Sequence, residues 1–225
     1  MPRGPIPTKT HGHEAEVRFR LFSARGFGRR VEAAGGQLQF AYAFTDTVLR
    51  PARPCRKAEG EVVLRLREER RPQFRCRLLL SSGEVHRTQG FAVKRSALPG
   101  GKVPLYEGGR GDALRVARAL GFEPAFRIRH ERGRAWTLPG GVEVVLERVH
   151  AYGGGRGVDL GWWVELAVPD GPLARRRLAS ALMRLGLDPR SAVAQGLPEV
   201  ARRALAGATK SCVEPPRSNP RRRRP

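Results

Sequence analysis

Glu14-Ala-Glu16-Val-Arg18-Phe-Arg20, with the similar runs Leu64-Arg65-Leu66-Arg67 and Phe126-Arg127-Ile128-Arg129, decides how this chain reads. Charged and apolar residues alternate in each run, and side chains on a β-strand alternate faces with a period of two. Each run therefore reads as a strand with one apolar and one charged face. Like charges side by side on a sheet face repel one another unless something neutralises them. Rows of arginine beside a pair of glutamates suit a phosphate chain carried with a divalent metal ion.

Further alternating segments lie at 37–44, 61–67, 73–80, 90–94, 125–130, 134–138, 142–149 and 162–168. Turn signals such as Ser82-Gly83, Pro99-Gly100-Gly101 and Pro139-Gly140-Gly141 separate them, which predicts an antiparallel meander. Helices are expected at 112–120, with Asp112 as N-cap and Gly121 as stop, at 173–185 before Gly186, and at 198–205 opening on a proline. A short helix around 29–34 is also compatible with the pattern.

Followed strand by strand, the alternation puts Glu14, Glu16, Arg18, Arg20, Arg65, Arg67, Arg75, Arg77, Arg127, Arg129, Glu143, Glu147 and Glu165 on one face. The other face collects Val17, Phe19, Leu64, Leu66, Leu78, Leu80, Phe126, Ile128, Val144, Leu146, Val164 and Leu166. With helices on the apolar side, the charged side either meets solvent or lines a closed barrel. In solvent, each Arg–Glu pair across strands contributes only about 0.2–1 kcal/mol. The signs are segregated, however: glutamates lie on the first strand and the last two, arginines on the middle ones. A tunnel built that way would hold Mg2+ on its acidic wall and phosphate oxygens on its basic wall, where the planar arginine fork donates two hydrogen bonds.

The 225 residues and a 40% hydrophobic share suit one main domain. No run of about 18 apolar residues occurs, and the N-terminus lacks the apolar stretch of a signal peptide, so a cytoplasmic protein without a membrane segment is expected. Cys55, Cys76 and Cys212 have no metal-ligand spacing, and His11-Gly-His13 reads as part of a flexible leader over residues 1–12. Residues 13–206 form the expected domain, and 207–225 read as a disordered basic tail. The net charge of +22 points to a polyanionic partner, nucleic acid included. The preference for arginine over lysine, with much Gly, Ala and Pro, is also what a GC-rich genome produces.

His13-Glu14-Ala-Glu16-Val-Arg18 is similar to the Glu-x-Glu-x-Lys strand that opens the CYTH family, the triphosphate tunnel metalloenzymes. That family includes class IV adenylyl cyclases, thiamine triphosphatases and inorganic triphosphatases. Thr45-Asp46-Thr47 followed by Leu64-Arg65-Leu66-Arg67 resembles its aspartate segment and Leu-Arg-x-Arg strand. Leu120-Gly121-Phe122 before Arg127 and Arg129, then Glu143 to Glu147, Trp163-Val164-Glu165 and Leu185-Gly186, follow the family order, so the likeness spans roughly residues 13–195. Three positions depart from the pattern: Arg18 replaces a lysine, Glu147 an aspartate, and Ala167 the second glutamate of the last acidic pair. The mid-chain Thr-x-Lys-Gly-Pro pattern is not evident, and Arg75 or Arg77 stands in for its base.

The resemblance implies an α+β fold, an antiparallel β-barrel or tunnel of about eight strands with helices packed outside. It implies a triphosphate or polyphosphate bound by Arg65, Arg67, Arg75, Arg77, Lys94, Arg127 and Arg129. Glu14, Glu16 and Arg18 would be catalytic, and Glu14, Glu16, Glu147 and Glu165 would hold Mg2+ or Mn2+. The expected activity is a metal-dependent triphosphatase, a cyclase being less favoured for want of an adenine pocket. Two alternatives are a degenerate tunnel that only binds a polyphosphate, nucleotide or acidic partner, and a nucleic-acid-binding protein using its basic surface and tail.

Overall fold

The computed structural model describes residues 14–53, 61–69, 74–88, 91–96, 98 and 101–210. The leader and residues 211–225 of the tail lie outside the described residues. In chain order the elements are β1 Glu14–Leu21, α1 Phe27–Ala33, β2 Gln37–Pro51, β3 Glu61–Glu69, β4 Arg75–Thr88, β5 Phe91–Ser96 and β6 Val103–Gly108. They continue as α2 Arg110–Ala119, β7 Phe122–Leu138, β8 Val142–Gly153, β9 Arg156–Pro169, α3 Ala174–Leu185, a 3-10 turn at Pro189–Ser191, and α4 Leu197–Lys210.

All strand pairings are antiparallel, in the order β3-β2-β7-β8-β9-β1-β5-β4, and β4 pairs back onto β3. Eight strands thus close into a barrel, the solution that removes the exposed edges of a sheet. β6 attaches to the first half of β4 outside this ring. The sequence pattern does not announce β6, because Pro104 interrupts it, and a proline is tolerated only at such an edge. The two expected segments 125–130 and 134–138 are one long strand, β7, joined by a bulge between Glu131 and Arg134 at which Arg132 adopts φ 51°.

The helices form slightly away from their expected bounds. α2 starts two residues early, with Gly109 as N-cap and Asp112 inside the first turn, where a carboxylate meets the positive end of the helix dipole. α3 ends where expected, at Gly186 with φ 62°, and α4 runs on to Lys210.

Three helices cover the outside of the barrel. Under α1 and α3, Phe27, Val31, Leu178 and Leu182 pack on outward Val17, Phe19, Trp136 and Leu166. Ala113 and Ala117 of α2 pack on Leu64, Leu66 and Leu78. Each large side chain buried this way contributes about 1.5–3 kcal/mol. α4 does something different. Its Leu197 and Ala201 meet Val48, Val63, Ile128, Val149 and Ala151, which all lie on the inner face, so this helix stoppers one end of the barrel.

Among the described residues the seam between β1 and β5 is short, with Ala15 opposite Arg95 and Glu16 opposite Lys94. Beyond it the segment before α4 takes over, and Val193 donates its N–H to the Arg18 carbonyl at 2.8 Å. No helix among the described residues is long and apolar enough to cross a membrane.

Candidate phosphate-binding interior

Residues opposite one another in a ladder project to the same side, so the registers assign the interior directly. Asp46 faces Arg67 across one ladder and Ile128 across the other. The same parity brings in Tyr42 and Phe44 from β2, Arg65 and Glu69 from β3, and Arg77 and Ser81 from β4. It also brings in Lys94, Glu14, Glu16, Arg18, Glu165, Glu143, Glu147 and His130.

Two expected members are elsewhere. Arg127 and Arg129 stand opposite Thr47 and Thr45 and point outward, while Phe126 and Ile128 point in. The alternation of β7 is as expected, but its phase is inverted, because its inner face at this end packs apolar side chains beneath α4. Arg75 sits at the rim, about half exposed, paired with Glu107 of β6 at 3.0 Å.

The basic wall is organised by Asp46, a carboxylate 1% exposed. It accepts from Arg67 Nε at 2.8 Å and Nη2 at 2.9 Å, and more loosely from Arg65 Nη1 at 3.4 Å. Burial would raise its pKa, but Arg67 and then Arg65 hold it well below the usual carboxylate range. Arg65 Nη2 donates to Ser81 at 2.8 Å, and Arg77 pairs with Glu69. One carboxylate shared by two guanidiniums leaves this wall short of acceptors. The Nε atoms of Arg65 and Arg77 are buried without a hydrogen-bond partner. Burial, with Arg67 and Arg18 nearby, pulls the Arg65 guanidinium below its ordinary value. The Arg67 guanidinium lies 3.7 Å from the Phe44 ring centroid, and that ring stacks on His130 at 4.2 Å.

The opposite wall is acidic. Arg18 bridges Glu165 through Nε at 2.7 Å and Glu16 through Nη2 at 2.9 Å. Burial alone would lower its pKa, and the two glutamates more than offset that. Glu16 is pushed up, first by burial and then by Glu165 and Glu14, despite Arg18 and Lys94. Glu147 accepts a hydrogen bond from Tyr42 Oη at 2.7 Å, and His130 Nδ1 lies 3.0 Å from the same carboxylate. These two neighbours outweigh its burial and hold Glu147 low, whereas burial and then Glu147 push the Tyr42 hydroxyl well above its usual value. Ala167 is buried opposite both Glu16 and Glu143, so a methyl group stands where the resemblance expects a carboxylate.

The carboxylates supply the oxygen chemistry that Mg2+ or Mn2+ prefers. Among the described residues, however, no three His, Cys, Asp or Glu side chains stand as a group that could hold a metal. Arg18 lies between Glu16 and Glu165, and Glu147 is engaged by Tyr42 and His130. A cavity of about 10 Å³ between Glu16, Arg18, Lys94 and Gln195 has room for roughly one water.

Asp46, Tyr42, Glu69 and His130 were not among the expected site residues. Asp46 carried a signal, since it continues the parity of Phe40, Tyr42 and Phe44 as the one acid of its strand. His130 carried none until the phase of β7 was known.

No family model and no curated protein matches the chain. Solved structures do. A conserved hypothetical protein from Pyrococcus furiosus superposes with a TM-score of 0.56 at 17% identity, over 83% of this chain and 98% of that one. A putative adenylate cyclase from Vibrio parahaemolyticus gives 0.56 at 14% identity, over 86% and 99%. A putative adenylyl cyclase from Hippeastrum, described as having a dominant triphosphatase activity, gives 0.51 at 16% identity, over 84% and 95%. Likeness at these identities shows the fold. It is the closed antiparallel tunnel barrel that the resemblance to the CYTH family implies.

Proposed function

We propose that the barrel interior binds a triphosphate or polyphosphate chain on the wall formed by Arg65, Arg67 and Arg77, with Lys94 at its flank. The observation that carries this is the pair of buried, acceptor-less guanidinium N–H groups on Arg65 and Arg77. A buried donor left unpaired costs about 1–3 kcal/mol, and phosphate oxygens are the acceptors that an arginine fork matches best. Asp46 and Glu69 already occupy these arginines, so binding proceeds by exchange, with phosphate oxygens replacing the two carboxylates.

The interior also carries a wall of acids, so a phosphate chain enters with a divalent cation. Glu14, Glu16, Glu165 and Glu147 are the oxygen donors for Mg2+ or Mn2+, provided Arg18 releases Glu16 or Glu165. The cation would neutralise charge and make a Lewis-acidic contact with the phosphate oxygens. The row of acids favours a second reading, a metal-dependent phosphoanhydride hydrolase, and the named activity of the Hippeastrum protein points the same way.

The test is a thermal-shift titration of the full chain with tripolyphosphate in Mg2+, Mn2+ or a chelator, run beside a phosphate-release assay. Stabilisation without release supports binding alone. Stabilisation with release supports the hydrolase, and the absence of both overturns the two readings.

A further inference from the structure

Acids and bases are near balance on the inner face, so the positive excess of the described residues lies on the outside of the barrel. One stretch of the outer sheet surface carries no helix. On β7, Arg127, Arg129, Arg132 and Arg134 are exposed, and beside them on β8 lies Tyr152, 38% exposed. Tyr152 stands opposite Arg127, and His150 stands opposite Arg129. The two rings stack with centroids 6.5 Å apart.

We propose that this outer face of β7 and β8 binds single-stranded nucleic acid, with Arg127, Arg129 and Arg134 on the phosphates and Tyr152 beneath a base. Arg127 and Arg134 make no ion pair with any described residue. The partners of Arg129 and Arg148, Glu131 and Asp159, are held in partly exposed pairs of the kind that exchange readily for another anion. Arg127 and Arg129 project from the same face about 6.6–6.8 Å apart along the strand, which lets them follow successive charges of an extended backbone. An aromatic ring beside such an arginine, as Tyr152 lies beside Arg127, discriminates between polyanions. Every base offers a π-face to stack on it, whereas an acidic peptide has no ring to place beside each charge.

This surface lies on the opposite face of the sheet from the tunnel and does not depend on what the tunnel binds. The test is fluorescence anisotropy of the full chain with labelled oligouridylate and with a duplex of equal length. The Arg127→Glu/Arg129→Glu variant is expected to bind the single strand at least tenfold more weakly, with a shallower dependence on salt. Tyr152→Ala is expected to lose about fivefold or more on the single strand and to leave duplex binding unchanged. Circular dichroism and thermal melts verify that both variants are folded, and single Arg127→Ser and Arg129→Ser variants replace the double one if it is not. Wild-type affinity in these variants would place the contact elsewhere, in the tail or on α3, and overturn the proposal. So would equal losses on single strand and duplex for Tyr152→Ala, or no binding at all.

Discussion

Glu16 lies beneath Arg18 at 2.9 Å, yet its proton is held more tightly than in water, because burial and the neighbouring Glu165 and Glu14 outweigh the guanidinium. A carboxyl group whose folded pKa is raised costs stability once it ionises. The cost is absent below the ordinary value of 4.5, grows as the pH rises through the folded value, and is complete above it. Glu16→Gln removes the charge and keeps the shape. The variant is expected to melt higher than wild type at pH 7, by about 2–4 °C for each kcal/mol relieved, and the gain should disappear near pH 4. Asp46 does not confuse the comparison, because its arginines keep it ionised at that pH. A lower melting temperature for Glu16→Gln at pH 7 would mean that the Arg18 pair outweighs the burial of Glu16. If the proposed metal role holds, the same variant should also weaken the metal-dependent part of any tripolyphosphate shift.

β3 and β7 share the pattern apolar-Arg-apolar-Arg and use it in opposite senses, with Arg65 and Arg67 inside and Arg127 and Arg129 outside. Arg65→Ala is expected to abolish most of the tripolyphosphate stabilisation, and Arg127→Ser with Arg129→Ser to leave it at the wild-type value in the same melt experiment. Equal losses in both would return β7 to the phase first expected. The contrast shows what alternation can and cannot reveal. Period two gave the strands, the two faces of each, the acidic wall and the Arg65–Arg67 half of the basic wall. It is blind to phase, which for β7 is set by a helix distant in sequence, α4, whose Leu197 and Ala201 require Phe126 and Ile128 to point inward. β6 was hidden for a local reason, a proline that only an edge position accepts. His130 became a site residue only through that inverted phase. Asp46, by contrast, was readable from parity alone.

Across the described residues, charge is sorted so that acids and bases largely neutralise one another inside the barrel while the positive excess lies on its outer surface. Self-repulsion of exposed charge destabilises a compact state and is screened by salt, with a Debye length of about 10 Å at 0.1 M. The melting temperature should therefore rise between about 20 mM and about 300 mM sodium chloride, since interior pairs are screened far less than surface charges. A fall over that range would show that attractive ion pairs on the surface outweigh the repulsion of its positive excess. The closure of the barrel also bears on how the chain is made. Of the barrel strands β1 is synthesised first, but the partner it pairs with along its whole length, β9, ends at Pro169. At about 5–20 residues per second, β1 waits roughly 7–30 s for that partner. Throughout that interval Glu14, Glu16 and Arg18 remain in water without Glu165, and nascent chains shorter than β9 have no tunnel.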